Sequence, residues 1–561
     1  MKKLLSLLIS VIMVLGVIAP VSATVANAAD EIVPIIYVRG NGQEIVDADG
    51  NEVICDIGDI GKIDLDIDSE DEDSKNKIVE AAANIILPFL TEGLLLDEWD
   101  SYEKAIYDEL SPLFEKAMLD GDGNPQYGTD IAQMLKDYNA DIKNKGNSFY
   151  SYGFYFDWRL SPYDNVDKLH AYIEAVMSET GATQVSLTSR CLGGSLINAY
   201  LEVKSREEGG LDHIKNVLYC DTLSNGCTMI SKGFSGKLEF DSKSIQMYEA
   251  QLGYLDEVGY GSGLNISGLA GEIVEKSLDL FSQVGVVDKF AGGLEKLYSR
   301  LYQALIPALF KSVGYVSQPI YWTFVKEEDF DDALEVMFGE EGSEEWKANE
   351  GLISKILEYR TNISSRHDEF LLDMSEKLHI GVIAKYGLMS APLIEGYDKL
   401  SDNLASLEDS SMGATCSTIG KTLTDDYIQD RVNKGYEDYI SADKQVDTST
   451  CLFPETTWIV KNVHHDDFDR SCKALAEKFL KGTKVIVETS GYSRFRINDY
   501  ETNTVSDMTA DNCADIDCFS IVEENPTTET RLVSLMKFLT VIINFITKLF
   551  SGEFDFSNLF A

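Results

Sequence analysis

The sequence predicts an α/β fold, a mostly parallel sheet covered by helices on both faces and enlarged by helical insertions. Two patterns lead there. Short apolar runs bounded by turn residues alternate with segments of helical period, which is the signature of parallel strands joined by crossover helices. One of those runs, within QVSLTSRCLGGSLINAYL (184–201), passes through a tight glycine-containing turn straight into a helical pattern. A chain of 561 residues, 44% of them hydrophobic, is also long enough to bury a large core.

The runs that read as strands are Pro34 to Val38, Tyr152 to Phe156, Val185 to Thr188, Val217 to Cys220, Ile380 to Ala384 and Thr457 to Val460. Asp164 or Asn165 is placed to cap a helix whose Leu169, Tyr172, Ile173, Val176 and Met177 share one face, with Gly181 closing it. Two helical insertions interrupt the alternation. The first, about 60–147, opens on the acidic run IDLDIDSEDED, read as a solvated loop, and continues through KNKIVEAAANIILPFL. The segments DADGN and DGDGNPQYG resemble calcium-loop fragments, but Pro125 stands where an EF-hand needs glycine and no glutamate closes the loop, so both read as turns. The second insertion, about 225–378, holds SGLAGEIVEKSLDLF and LEKLYSRLYQALIPALF and is placed to form a helical cap, or lid. The expected organisation is thus a signal peptide over 1–28, core over 29–224, cap over 225–378, core again over 379–525 and an amphipathic C-terminal helix over 526–561.

The first of these follows from Lys2 and Lys3, an apolar run to Pro20 and small residues after it; cleavage fits after Ala23 or Ala28. The protein is therefore expected to be secreted or extracytoplasmic. Its net charge of −46 argues against a nucleic-acid partner, which would be held through lysine and arginine. In an exported chain the nine cysteines permit disulfides, with Cys220 and Cys227, Cys416 and Cys451, and Cys513 and Cys518 as candidate pairs. No C-x-x-C spacing suggests a metal, and no cofactor is expected. The last helix, around Thr530 to Phe550, carries a narrow polar stripe on an apolar body, and its charge-free run is too short to span a bilayer. Docking on the fold, lying at a membrane surface and self-association are its readings.

The turn at Ser189-Arg190-Cys191-Leu192-Gly193 has the frame of the G-x-S-x-G nucleophile elbow, with cysteine where that pattern has serine. A cysteine at a helix N-terminus beside a histidine gains thiolate character, so Cys191 is the candidate nucleophile. Ser189 in that role would make Leu187 a flank, and leucine is too large there. The glycines of YVRGNGQ (37–43) leave backbone N–H groups near Gly40, Asn41 and Gly42 free to meet a developing oxyanion, with the Leu192 N–H as second donor. TTWIVKNVHHDDF (456–468) is a strand ending in two histidines, His464 and His465, where a general base belongs. Asp402 or Asp447 lies between nucleophile and histidine and supplies the acid in the expected chain order, with Asp402 preferred and Asp447 the alternative.

At these positions the chain resembles the lecithin:cholesterol acyltransferase-like, lipase-like branch of the α/β-hydrolases. The resemblance rests on FDWRLSP (156–162), similar to that branch's YDWR-L-P segment, on the elbow at Ser189 to Gly194, and on Ser401-Asp402 after HIGVIAKYG; it runs in order through most of residues 30–470. It departs in having Cys191 for serine and Ser189 for the elbow's first glycine. The resemblance implies acyl transfer or hydrolysis on a lipid or other small-molecule acyl substrate, through Cys191, Asp402 and His465. Asp157 and Arg159 read as a structural ion pair. The alternative reading, from another class, is a catalytically inactive hydrolase-fold protein that holds an apolar ligand or a surface partner.

Overall fold

In the computed structural model the described residues are 33–55 (except 41), 98–251 and 294–515, apart from short gaps within these ranges, with scattered positions between 84 and 96. The expected signal peptide, the acidic run, SGLAGEIVEKSLDLF, Cys518 and the segment expected as a C-terminal helix lie outside them.

Every apolar run expected as a strand is one. β1 (Ile35–Val38), β2 (Tyr152–Phe154), β3 (Val185–Arg190), β4 (Ile214–Cys220), β5 (His379–Tyr386) and β6 (Thr457–Lys461) join β7 (Phe495–Asp499) and β8 (Thr504–Asp507). They form an eight-stranded sheet in the order β8-β7-β6-β5-β4-β3-β1-β2, parallel throughout except for the antiparallel edge strand β8. Parallel registry sets the strand ends side by side: Val38 is opposite Ser189, Arg190 opposite Cys220, and Lys461 opposite Tyr386. The loops that follow β1, β3, β4, β5 and β6 therefore leave from one edge of the sheet, where ligands bind in open α/β folds.

Alternation along the strands sends side chains to two covered faces. Ile36, Val38, Leu187, Val217, Val382 and Ile459 share a core with helices α1 (Val166–Thr180) and α2 (Gly193–Ser205). Ile35, Tyr37, Leu218, Ile383, Trp458 and Val460 share another with α7 (Lys473–Lys481), whose Phe479 is fully buried. Gly381 makes room for that ring, since a Cβ there would lie 2.6 Å from its Cζ. Burying such a side chain contributes about 1.5–3 kcal/mol. Helix α1 ends as expected at Gly181, whose φ is 71° and whose N–H reaches the Met177 carbonyl. Its start differs. Asn165 is the cap residue by position, but its Nδ2 donates 3.1 Å to the Asp157 carbonyl and leaves the helix N-terminus without a side-chain cap.

The insertion after β4 contributes α3 (Thr228–Phe234), α4 (Leu294–Ser312), α5 (Glu350–Asn362) and α6 (His367–Ser375). Part of it packs on α2: Ser195 Oγ lies 2.8 Å from Thr323 Oγ1, and the Asn198 amide donates 3.4 Å to the Tyr359 hydroxyl. Helix α4 packs on α3, its Ile306 and Phe310 closing on Gly233. DADGN and DGDGNPQYG are turns, pinned by Asp47 and Asp120 carboxylates that accept backbone N–H groups two and four residues on.

The expected pairs Cys220–Cys227 and Cys416–Cys451 are not formed, all four being free thiols, while the pair of Cys513 with Cys518 falls outside the described residues. Cys220 and Cys227 are close in sequence but separated by the sheet. The first packs on the α7 side, while the second belongs to the other core and donates to the Leu404 carbonyl.

Candidate active site

Strand β3 ends at Arg190 and α2 begins at Gly193, so the chain reverses direction within two residues. Cys191 takes the strain, with φ at 51° in the left-handed region that costs an L-residue roughly 1–2 kcal/mol. Its N–H is held by the Asp221 carbonyl at 3.2 Å, and its carbonyl accepts from Gly194. The turn closes only because the next residues are glycines. A Cβ on Gly193 would lie 2.6 Å from the Val38 carbonyl oxygen and 2.7 Å from that of Arg39; on Gly194 it would lie 2.9 Å from Thr222 Cγ2. Cys191 stays partly exposed at the sheet edge, whereas Ser189 is fully buried within β3. The frame read from the sequence is the frame that folds.

The loops after β5 and β6 bring Asp402 and His465 together. Asp402 Oδ2 accepts from His465 Nδ1 at 2.7 Å, and the His465 N–H donates to the Asp402 carbonyl at 2.8 Å. The other carboxylate oxygen takes the backbone N–H groups of Leu404 (3.0 Å) and Ala405 (2.7 Å), so the acid is fixed at both oxygens. Burial pushes the Asp402 carboxyl up, but His465, Lys385 and the Ala405 N–H outweigh it and hold the group below the usual carboxylate range. Burial likewise disfavours a charged His465. Asp402 and then the Cys191 thiol overcome this and hold the imidazole well above its ordinary value. Nε2, the nitrogen not facing Asp402, has no hydrogen bond among the described residues. The neighbouring His464 is engaged elsewhere, with its Nε2 at 2.9 Å from the Asn403 amide.

Asp447 is not placed to serve the histidine. It sits in a separate two-stranded sheet, where its carboxylate accepts from Arg431 Nε at 2.7 Å, the Tyr427 hydroxyl at 2.8 Å and the Ser449 N–H at 2.8 Å. Of the oxyanion candidates, Asn41 lies outside the described residues. Gly40 packs against the turn, where an added Cβ would lie 3.6 Å from that of Cys191. The Leu192 N–H has no backbone acceptor among the described residues.

Several residues at the site escaped the sequence reading. Gln43 ties the glycine loop to FDWRLSP: its Nε2 donates to the Gly40 carbonyl (2.8 Å), its Oε1 accepts from the Phe156 N–H (2.7 Å), and its carbonyl accepts from Trp158 Nε1 (3.1 Å). The Asp157–Arg159 pair beneath is the expected structural one, buried, with a shortest contact of 2.6 Å and a further bond to Thr129. Gln251, from the second insertion, braces the acid loop through the Met389 backbone and Asn403. Lys385 and Asp221 form a fully buried ion pair between the nucleophile turn and the histidine loop. The signal for Lys385 was present: a lysine inside HIGVIAKY, a run otherwise fit for a central strand, must find a partner in the interior.

No family model and no curated protein matches the chain. A chain in the crystal structure of the Tle4-Tli4 complex is similar over 64% of this chain and 76% of its own, at 12% identity and a TM-score of 0.22. A likeness of that size carries no functional argument. The residues of the site carry the functional reading instead.

Proposed function

We propose that the protein is an exported acyl hydrolase or acyltransferase acting on an ester, lipid ester or thioester through Cys191, His465 and Asp402. The observation that supports it is the buried Asp402–His465 bond, with the free nitrogen of that imidazole under the influence of a cysteine held at positive φ at the head of a helix. Backbone strain of this kind persists only where the surroundings enforce it, and it clusters at functional sites.

In this reading Asp402 keeps the proton of His465 on Nδ1, and Nε2 takes the proton from the Cys191 thiol. The thiolate attacks the acyl carbon; a C–S bond forms and the carbonyl electron pair moves to oxygen, where the Leu192 N–H and the Gly40–Gly42 segment stabilise it. Collapse expels the alcohol or thiol, which takes the proton from His465. Water or an acceptor hydroxyl then attacks the thioester carbonyl, giving its proton to His465; the C–S bond breaks, the acid or new ester leaves, and the proton returns from His465 to the Cys191 sulfur. On the same reading the leader is a signal peptide, 225–378 builds a cap, and the C-terminal helix associates with a membrane surface or another copy.

Thiol alkylation tests it. Burial pushes Cys227 up to about 11 and Cys451 up to about 12, so these thiols resist conversion to thiolate. Cys191 should be the fastest cysteine to react with iodoacetamide, as mapped by mass spectrometry. Cys191→Ala should abolish turnover of activated esters and thioesters, and His465→Ala should slow alkylation. An unreactive Cys191, with no turnover across an acyl panel, would leave the inactive binding protein as the reading.

A further inference from the structure

We infer that Lys385 and Asp221 are positioning residues that lock the histidine loop to the nucleophile turn, an inference that rests on the Cys191–His465 reading above. Strands β4 and β5 are neighbours, with Cys220 opposite Ile383, so Asp221 and Lys385 meet just beyond the last paired residues at the functional edge. Both side chains are fully buried. The lysine ammonium donates to the His465 carbonyl at 3.0 Å and the His464 carbonyl at 3.2 Å, and its nitrogen lies 2.5 Å from Asp221 Oδ2 in an ion pair. Asp221 completes the link through its backbone. Its φ is 49°, its N–H donates to the Ile383 carbonyl at 3.0 Å, and its carbonyl receives the Cys191 N–H at 3.2 Å. One continuous path therefore runs from the Cys191 amide through Asp221 and Lys385 to the backbone on which the His465 ring hangs.

Stability alone is a poor reason for this arrangement. A buried ion pair loses the hydration of both charges, and a well-packed apolar pair of similar volume often serves a fold as well or better. Neither carboxylate oxygen of Asp221 accepts a well-aligned hydrogen bond among the described residues, so the ion pair is what compensates its charge. What the pair does that an apolar pair cannot is to fix two carbonyls of the histidine loop in direction. It also puts a cation where it favours the ionised form of Asp402. The other ionisable groups acting on the pair are His465, Cys220 beside Asp221, Tyr37 on β1 and Cys472 ahead of α7.

The test follows iodoacetamide alkylation of Cys191 against pH in the full chain, with thermal melting of each variant. Lys385→Met leaves Asp221 unpaired and should lower both the melting temperature and the alkylation rate at neutral pH, the latter by roughly tenfold to a hundredfold. Lys385→Met with Asp221→Asn removes the lone charge, so its melting temperature should recover. Its alkylation rate should stay low and its pH midpoint should stay displaced, because the loop carbonyls are still unheld. A double variant that alkylates at the wild-type rate with the wild-type midpoint would overturn the inference and leave the pair a stability element. If neither variant folds, near-isosteric Asp221→Asn decides: a displaced midpoint supports the link and an unchanged one refutes it. His465→Gln separates the base from the link that positions it. If it alkylates as wild type does, the nucleophile–base reading itself fails; if it differs while the Lys385 variants match wild type, only this inference fails.

Discussion

Replacing Asp402 by asparagine should disable the protein while leaving it folded, and the geometry says why. The carboxylate accepts bonds from His465 Nδ1 and Ala405 N at 2.7 Å and from Leu404 N at 3.0 Å. An asparagine can keep its oxygen on the two backbone donors, which turns its amide nitrogen toward the imidazole. That nitrogen donates, so His465 must accept on Nδ1 and carry its proton on Nε2. A protonated Nε2 cannot take a proton from the Cys191 thiol. The same tautomer error in a serine-protease triad lowers kcat about 10^4-fold. A thiol is intrinsically easier to ionise than a hydroxyl, so the expected loss here is about 10^2 to 10^4. Loss of one charge-assisted hydrogen bond adds about 1.5–3 kcal/mol of destabilisation. The assay is turnover of an activated acyl ester alongside urea unfolding, with Asp447→Asn as control. The control breaks contacts to Arg431 and Tyr427 and should lower stability without changing kcat. A folded Asp402→Asn variant with wild-type turnover, beside an inactive Asp447→Asn, would refute the reasoning.

Gly193→Ala should destabilise the fold by about 1–3 kcal/mol in denaturant unfolding, because its methyl meets two backbone carbonyls that have no freedom to move. Gln43→Leu should cost about 1–3 kcal/mol by stranding the buried Phe156 N–H, and should lower kcat more than it raises KM by releasing the Gly40 carbonyl; a changed KM with intact kcat would place Gln43 in binding instead. Stability should also track the ionisation of the acid–base pair. The folded-state pKa of His465 is raised, so its contribution is complete below its ordinary 6.5 and is lost as pH climbs through the folded value. That of Asp402 is depressed, so its contribution is present above 3.8 and is lost as pH falls through the folded value. The stability advantage of wild type over His465→Gln should therefore shrink as pH rises above 6.5, and an advantage that grew with pH would contradict the assignment.

What the sequence disclosed follows from how parallel sheets are buried. Strands covered on both faces must be apolar at nearly every position, and PIIYV and VLYC (217–220) say so directly. β7 and β8 were missed for the same reason reversed. FRIND buries Phe495 and Ile497 but also the polar Asn498, and TVSD is an exposed edge, so neither has the continuous apolar run that marked the inner strands. Gln43 and Asp221 were missed because their partners come from segments far away in the chain. A glutamine after a glycine loop draws no notice until Phe156 and Trp158 are known to lie against it.

Which aspartate meets His465 is legible in the strand each one follows, the ground for preferring Asp402, and not in their spacing along the chain. Asp447 lies nearer to His465 along the chain, and both aspartates stand in the required order between nucleophile and base. Chain separation is the wrong measure, because a loop's position is set by the strand it leaves. β5 and β6 are hydrogen-bonded neighbours, with Lys461 opposite Tyr386, so the segments that follow them start side by side and Asp402 meets His465. Asp447 belongs to a small two-stranded sheet with Thr415 and Cys416, where Arg431 already satisfies its charge. Strand adjacency also governs Asp221. It follows β4, which separates the nucleophile strand from β5, and its carbonyl can therefore hold Cys191 while its carboxylate reaches Lys385. The order of strands in the sheet, rather than the order of residues in the chain, determines which aspartate meets His465 and which meets Lys385.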